Sequence, residues 1–343
     1  MNLSVRLSLP YLSIRHGLTF WKGIKPLSGI GGHMGQRATK DSESVVYVNG
    51  RFYPKSQARI SPTDHGILYG DGVFDTCTAH NGMIWRLDDH IDRFFMSAKA
   101  VSITIPLEKR ELKGVVVETV RRNGLSDAYI KMYCTRGDGP PFINPAGTTG
   151  PTMVVFAVPP ARVYSEEERM KGVRAIISSV RRIPPACGVE ARIKQLNYMN
   201  NVLMYLEAMN AGADMAIALD LNGYVTEGIA QNIFVVRNSV IRTPPLQLIL
   251  AGITRRSVIE LAGKEGYGVV EEMLTPYDLY TADEVFATAT AASGGGGLTA
   301  ITNVDGRVIG GGKTGPVTDR LMKAHLQALR SDTKYLTPIY EPL

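Results

Sequence analysis

Apolar positions along this chain recur in some stretches at alternate residues and in others at helical spacing, and each change of period marks an element. "VVYVNGRFY" (45–53) holds two short β-rich runs around an Asn-Gly pair, which predicts a tight hairpin. "RLDDHIDRFFMSAKAV" (86–101) places Leu87, Ile91, Phe94, Phe95 and Ala98 on one helical face. A second helix is expected in "LEKRELKGVVVETVRRNGL" (107–125), stopped at Asn123-Gly124. "DAYIKMYCTRG" (127–137) and "PTMVVFAVPP" (151–160) read as strands. Pro159-Pro160 and the charged "SEEERMKG" (165–172) predict a boundary.

Beyond it, "VRAIISSVRRI" (173–183) reads as a strand and "NYMNNVLMYLEAMNAGA" (197–213) as a helix ending at Gly212. Within and around that helix Tyr198, Val202, Tyr205, Leu206 and Met209 form an apolar seam. "DMAIALDLNGYVTE" (214–227) and "NIFVVRNSVIRTP" (232–244) each predict a hairpin with Asn at the turn. "GITRRSVIELAGKEG" (252–266) is a helix opening after Gly252. "ADEVFATATAA" (282–292) is a strand, followed by a glycine run too short to be a linker, a "VDGRVIG" hairpin and a last helix in "GPVTDRLMKAHLQAL" (315–329). The expected organisation is a leader (1–44), a small domain (45–162), a linker (163–170) and a larger domain (171–343). Strands and helices mix without strict βαβ alternation, so the fold class is α/β of the mixed α+β kind rather than a doubly wound sheet.

Composition supports two packed units: 343 residues, 44% of them hydrophobic, can fill two cores. No run of about 18 or more uncharged apolar residues appears, so no membrane-spanning helix is expected. The net charge of +6 suggests nucleic acid until it is located: Arg6, Arg15, Lys22, Lys25, Arg37 and Lys40 account for all of it, and residues 1–40 contain no acid. The remaining chain is neutral, so a basic binding module is the weaker reading and no nucleic-acid partner is expected. The leader has the composition of an organelle transit peptide, and it fits equally well a chain whose translation begins at Met34. The expected location is the cytoplasm, or an organelle if residues 1–33 are a transit peptide. Cys77, Cys134 and Cys187 lie far apart without a C-x-x-C pair, which predicts neither disulfide framework nor zinc site, and a reducing compartment.

One residue then invites chemistry. Lys194 stands in "RIKQLNYMNNVL" (192–203), at the threshold of the apolar seam. A lysine there can simply snorkel its ammonium to water. A lysine that forms an imine needs a carbonyl partner, usually pyridoxal 5′-phosphate, with a carboxylate for the ring nitrogen and an anion site for the phosphate. The chain offers the carboxylate, a helix N-terminus and an arginine. Glu227 precedes Gly228 between two strand-like runs, a context that permits close approach of a ligand. Ile253 and Thr254 open a helix whose free N–H groups suit a phosphate, and Arg93 is a possible charged clamp. Taken singly, each also fits a plain structural role: edge-strand charge, N-cap, surface cation.

Six blocks together are specific. "DHGILYGDGVFDT" (64–76), "RLDDHIDRF" (86–94), "IKQLNYMNNVL" (193–203), "GYVTEGIAQNIFVV" (223–236), "GITRRSVIEL" (252–261) and "DGRVIGGGKTGPVT" (305–318) resemble, in order, the signature blocks of the class IV, or fold-type IV, pyridoxal-phosphate aminotransferases. The resemblance implies a small N-terminal α/β domain, a larger C-terminal pseudo-barrel that binds the cofactor, and a homodimer. It implies that Lys194 is the catalytic imine lysine, that Tyr198 bonds the cofactor's phenolic oxygen, and that Glu227 partners its ring nitrogen. Arg93, Ile253, Thr254 and Thr290 match the phosphate cup. Tyr69, Phe74 and Tyr129 match the substrate pocket of branched-chain enzymes, and Ala291 and Ala292, in the "TAAS" segment, match substrate-binding positions.

The match is partial at the substrate end. Lys131 stands where that subgroup has arginine, Thr78 replaces another, and "TAAS" replaces "TAAE"; a lysine lacks the bidentate fork that arginine offers a carboxylate. Arg136 is an alternative anchor. The implied reaction is transamination between an amino donor and an oxo-acid acceptor, with branched-chain L-amino acids and 2-oxoglutarate first. A D-amino-acid or (R)-amine transaminase comes second and aminodeoxychorismate lyase third.

Overall fold

In the computed structural model the described residues are 43–160, 166–182, 188–291 and 297–340, and the leader, Cys187 and Ala292 fall outside them. The chain begins with β1 (Val45–Val48) and β2 (Arg51–Pro54), the expected hairpin. Its turn residues Asn49 and Gly50 both take positive φ, 45° and 89°, a geometry that Asn-Gly tolerates and that matches strand twist. Next come α1 (His65–Tyr69), β3 (Gly72–His80), β4 (Met83–Trp85), α2 (Leu87–Ala100), α3 (Lys109–Arg122), β5 (Ala128–Thr135) and β6 (Thr152–Val158). The second half runs α4 (Glu166–Lys171), β7 (Val173–Arg182), α5 (Met199–Asn210), β8 (Met215–Asp220), β9 (Val225–Gly228), β10 (Asn232–Arg237) and β11 (Val240–Thr243). It ends with α6 (Ile253–Lys264), β12 (Val269–Glu271), α7 (Pro276–Tyr280), β13 (Glu284–Thr288), β14 (Leu298–Val304), β15 (Arg307–Val308), α8 (Pro316–Ser331) and β16 (Leu336–Pro338). The α4 helix occupies much of the stretch expected as linker.

The first sheet has the order β16-β4-β3-β5-β6-β1-β2, and its pairings are antiparallel. The apolar stripes of α2 and α3, including Leu87, Ile91, Phe94, Leu112 and Val116, pack with Val73, Ile130 and Met132 in one core cluster. In the second sheet β10, β13, β14, β7, β8 and β9 pair in turn, and β9 meets β10 again where Glu227 stands opposite Asn232. That last pair closes a barrel-like ring. Alternate residues of β10 divide between two cores: Ile233 and Val235 join the cluster with Ile217, Val225 and Val285, while Phe234 and Val236 join the one with α6 and α8. The mixed α/β class therefore holds. The expected split at residue 171 does not sort every strand, because β16 returns from the end of the chain to pair with β4 of the first sheet.

One expectation about a single element changes, and one strand carries no readable pattern. The β3 strand, central in the first sheet, is buried along almost its whole length, so it shows no in-out alternation to read. In α5 the seam residues Val202, Tyr205, Leu206 and Met209 are exposed, while Met204 and Ala208 make the contact with β7 and β8. Helical spacing identified residues that share a face; the neighbouring sheet took the face with the smaller side chain at Ala208.

The segment before α5 is fastened to β3 by backbone. Phe74 N donates to Lys194 O at 2.9 Å, Leu196 N donates to Gly72 O at 2.9 Å, and Lys194 N donates to Ser97 Oγ of α2 at 3.1 Å. Gly72 permits this approach: a Cβ there would lie 2.5 Å from Leu196 Cδ1 and 2.9 Å from Cys134 O. Gly72→Ala is accordingly expected to destabilise the protein by about 1–3 kcal/mol in urea unfolding. Gly114→Ala, in open space on α3, should be neutral or stabilising in the same assay. Equal stability of the two variants would contradict this account of the strap.

Candidate active site

A cavity of about 300 Å³, at the lower end of small-molecule pockets, lies between the first sheet and the barrel. The antiparallel register of β3 and β5 sets one wall: Thr76 stands opposite Lys131 and Thr78 opposite Tyr129, so alternate residues Phe74 and Thr76, Tyr129 and Lys131 turn to the same side and line it. Arg93 enters from α2, Lys194 and Tyr198 from the strap, and Gly252, Ile253 and Thr254 from the start of α6. Thr290 and Ala291 follow β13 at the rim.

Lys194 Nζ reaches into this space 3.4 Å from Tyr198 Oη and 4.6 Å from the centre of the Phe74 ring. Burial first, then the nearby Arg93 charge, bring its ammonium down to a pKa of about 8. Burial likewise pushes the Tyr198 phenol up to about 12, so that hydroxyl stays protonated at neutral pH. The amine is thus available as a nucleophile and base in a way a surface lysine is not. Lys131 shares the Phe74 ring from 4.5 Å, its pKa lowered by burial and then by Lys194, and no ion-pair partner for it occurs among the described residues.

Glu227, on the closing strand β9, is buried behind the cavity wall. One carboxylate oxygen accepts from Leu250 N at 3.0 Å and the other meets Arg182 Nη2 at 2.5 Å. Burial pushes its pKa up while the Arg182 charge and the Leu250 amide pull it down. Burial prevails, so the pKa is raised overall, while the guanidinium in contact favours the carboxylate form.

At the other end, α6 opens at Gly252 with no side-chain cap, and its first residues border the cavity. Its unpaired N–H groups and dipole favour an anion. A Cβ on Gly252 would run into the Asn232 side-chain oxygen, so glycine is needed for this close packing. Thr254 and Thr290 approach each other there, Oγ1 to Oγ1 at 3.4 Å. Arg93 stands beside them, donating from Nη1 to Ala251 O at 3.0 Å and gripping Asp75 with Nε and Nη2, both at 2.8 Å. A nucleophilic amine, a buried acid on one side and an uncapped helix with an arginine on the other form the donor set that a phosphorylated pyridine aldehyde requires.

The structure thus brings together Arg93, Lys194, Tyr198, Ile253, Thr254, Thr290, Phe74, Tyr129, Lys131 and Ala291, with Glu227 immediately behind. Two expected residues stand elsewhere. Tyr69 points outward on α1, edge-on to His65 at 5.1 Å, and does not line the cavity. Arg136 is spent on structure: its guanidinium pairs with Asp71 at 2.5 and 3.0 Å and donates to the carbonyls of Val101 and Ser102. Asp71, two residues beyond Tyr69, was the available signal for that pairing. Ala292 lies outside the described residues. Asp75, Arg182 and Asn232 were not anticipated; an Asp inside an apolar run was the one hint for the first.

Comparison with known proteins agrees with this geometry. The family model for amino-transferase class IV matches residues 72–301. The chain belongs to that family, whose members use pyridoxal 5′-phosphate. A Methanocaldococcus jannaschii protein, provisionally named a branched-chain-amino-acid aminotransferase, is 45% identical over 297 residues, 86% of this chain and 99% of that one. The D-alanine aminotransferase of Bacillus licheniformis is 33% identical over 289 residues, 84% and 98% of the two chains. Among solved structures, the branched-chain amino acid aminotransferase of Thermoproteus uzoniensis with norvaline superposes with a TM-score of 0.79 at 33% identity, covering 87% of this chain and 100% of that one. Another branched-chain amino acid aminotransferase, solved with pyridoxamine 5′-phosphate, superposes with a TM-score of 0.83 at 37% identity, covering 87% of this chain and 99% of that one.

The lowered pKa of Lys194 has a stability consequence. Below about pH 8 the folded protein holds a charged amine in a partly dry site, whereas between pH 8 and the unfolded value of 10.5 the unfolded chain binds more protons. Stability of the cofactor-free protein should therefore gain with pH from this group across that window. Lys194→Met should be more stable than wild type in urea at pH 7, with the difference shrinking as pH approaches 10. A difference that grows with pH would contradict the burial of this amine.

Proposed function

We propose that this chain transfers the amino group of a branched-chain L-amino acid to an oxo acid, 2-oxoglutarate in the first instance. The observation that carries the reading is the Lys194 amine, brought to a pKa of about 8 and placed between Phe74, Tyr198 and the uncapped start of α6. Pyridoxal 5′-phosphate supplies the aldehyde for that amine and a sink for the electrons of the substrate Cα–H bond. Lys194 Nζ would hold the cofactor and is placed to take the proton from the substrate α-carbon. Tyr198 would donate a hydrogen bond from its hydroxyl to the cofactor's phenolic oxygen. Glu227, whose ionised form Arg182 favours, would pair with the ring nitrogen and keep it protonated. Arg93, Ile253, Thr254 and Thr290 would hold the phosphate.

The substrate side is supported by chemistry and by relatives. Phe74, Tyr129, Leu250 and Ile253 give the cavity apolar walls suited to an aliphatic side chain, and Lys131 offers a cation for a carboxylate. The relative solved with pyridoxamine 5′-phosphate is named for branched-chain substrates at 37% identity and the Bacillus licheniformis one for D-alanine at 33%, which makes D-amino-acid or (R)-amine transfer the second reading. Aminodeoxychorismate lyase activity is the third. A homodimer is the working unit we favour: Met199, Val202, Leu203, Tyr205 and Leu206 expose an apolar face on α5, and Gly70, which follows Tyr69, lies against Asn197 next to it. A second subunit would cover such a face. The buried free thiols of Cys77 and Cys134 fit a reducing location such as the cytoplasm, and no described helix is long and apolar enough to cross a membrane.

Supplied with 2-oxoglutarate, the enzyme should use L-leucine in preference to D-alanine and (R)-1-phenylethylamine. Preference for either of the last two, or pyruvate release from aminodeoxychorismate, would replace this reading with one of its rivals. Glu227→Gln should keep the cofactor and lose most turnover, on the order of a hundredfold for a charge-assisted contact at the reacting ring. Near-normal rates would remove Glu227 from its role.

A further inference from the structure

Asp75 is fully buried, and the register of β3 turns it away from the cavity, on the face opposite Phe74 and Thr76. Its carboxylate nevertheless collects four donors. Oδ2 accepts from Arg93 Nε at 2.8 Å, and Oδ1 accepts from Arg93 Nη2 at 2.8 Å, His90 Nδ1 at 2.7 Å and Thr76 N at 2.7 Å. His90 is also fully buried, and its Nε2 has no hydrogen-bond partner among the described residues. The single ring proton therefore belongs on Nδ1, pointing at Asp75, and burial holds the imidazole neutral. The third arm of the Arg93 guanidinium is tied to Ala251 O, one residue before α6 opens at Gly252.

We propose that Asp75 is the positioning residue for the phosphate end of the site: assisted by neutral His90, it holds the Arg93 guanidinium beside the start of α6 without touching cofactor or substrate. An arginine side chain loses much rotamer freedom when it is fixed, and a clamp oriented before the ligand arrives binds an anion more tightly than one that must be ordered by it. The bidentate grip suits the planar guanidinium, and no amide at position 75 reproduces it, because an amide offers one acceptor and presents a donor to a donor. Asp75 also offsets part of the pull of Arg93 on the Lys194 proton. The proposal rests on the reading of Arg93 as a phosphate contact.

The test compares affinities of the full-length, cofactor-stripped protein for pyridoxal 5′-phosphate and for pyridoxal, which lacks the phosphate. The ratio of the two reports the phosphate contact alone. Asp75→Asn should lower that ratio about tenfold or more while leaving pyridoxal affinity within about twofold. On an Arg93→Ala background the same change should have no further effect on the ratio. A wild-type ratio in Asp75→Asn, an equal loss of both affinities, or an additive loss in the double variant would overturn the proposal. If Arg93→Ala itself keeps the wild-type ratio, the phosphate reading of Arg93 fails and takes the proposal with it; a loss in Arg93→Ala with none in Asp75→Asn removes the proposal alone. Should Asp75→Asn not fold, His90→Leu is expected to reduce the ratio several-fold and His90→Asn, whose amide can donate from nearly the same place, to recover most of it. No loss in His90→Leu would contradict the scheme.

Discussion

A short strap of backbone hydrogen-bonded to β3 determines where the reactive amine sits. Lys194 is not carried on a helix; it lies between Phe74 N and Ser97 Oγ, each bonded to its main chain, with Leu196 N closing on Gly72 O. The side chain runs over the Phe74 ring and toward Tyr198. The same strand positions nearly everything else. One face of β3 lines the cavity with Phe74 and Thr76, and the other sends Asp75 into α2 to meet His90 and Arg93. The barrel contributes the far wall, and its ring closes at the pairing of Glu227 with Asn232.

Charge is arranged around that amine in opposed pairs. Arg93 is matched by Asp75 and Arg182 by Glu227, so the two cations that flank Lys194 are each held by a carboxylate. Lys194 is consequently depressed mainly by loss of water, the first cause of its shift, with the charges as corrections of both signs. Buried pairs of this kind contribute little net stability, and each would be damaging if broken on one side. Their value here is orientation. Lys131 is the exception, a half-buried cation facing the cavity with no carboxylate among the described residues. Such a group suits an anionic part of a substrate better than a structural role.

Much of this was legible from the order of residues, and the failures have physical reasons. The hairpin at Asn49-Gly50 and the buried faces of α2 and α3 followed from local rules because turn chemistry and one-sided burial leave a periodic trace. Lys194, Glu227 and Thr254 could be proposed because a cofactor of known chemistry demands those residue types. The β3 strand left no such trace, since both of its faces are covered and its polar residues are satisfied by tertiary partners. Periodicity in α5 showed which residues share a face without showing that this face has no neighbour within the chain. Arg136 and Tyr69 lie away from the cavity for a related reason: only the folded chain shows that Asp71 captures the one and that α1 turns the other outward. Pairings between residues far apart in sequence, such as Arg182 with Glu227, are invisible without the fold.

Among the described residues two lysines line the cavity, and the covalent role is proposed for Lys194, whose amine is the more desolvated and lies against Tyr198. Reduction of the holoprotein with borohydride, followed by proteolysis and peptide mass mapping, addresses that assignment directly. The phosphopyridoxyl mass is predicted on the peptide containing Lys194. An unmodified Lys194, or the label on Lys131, would contradict the account.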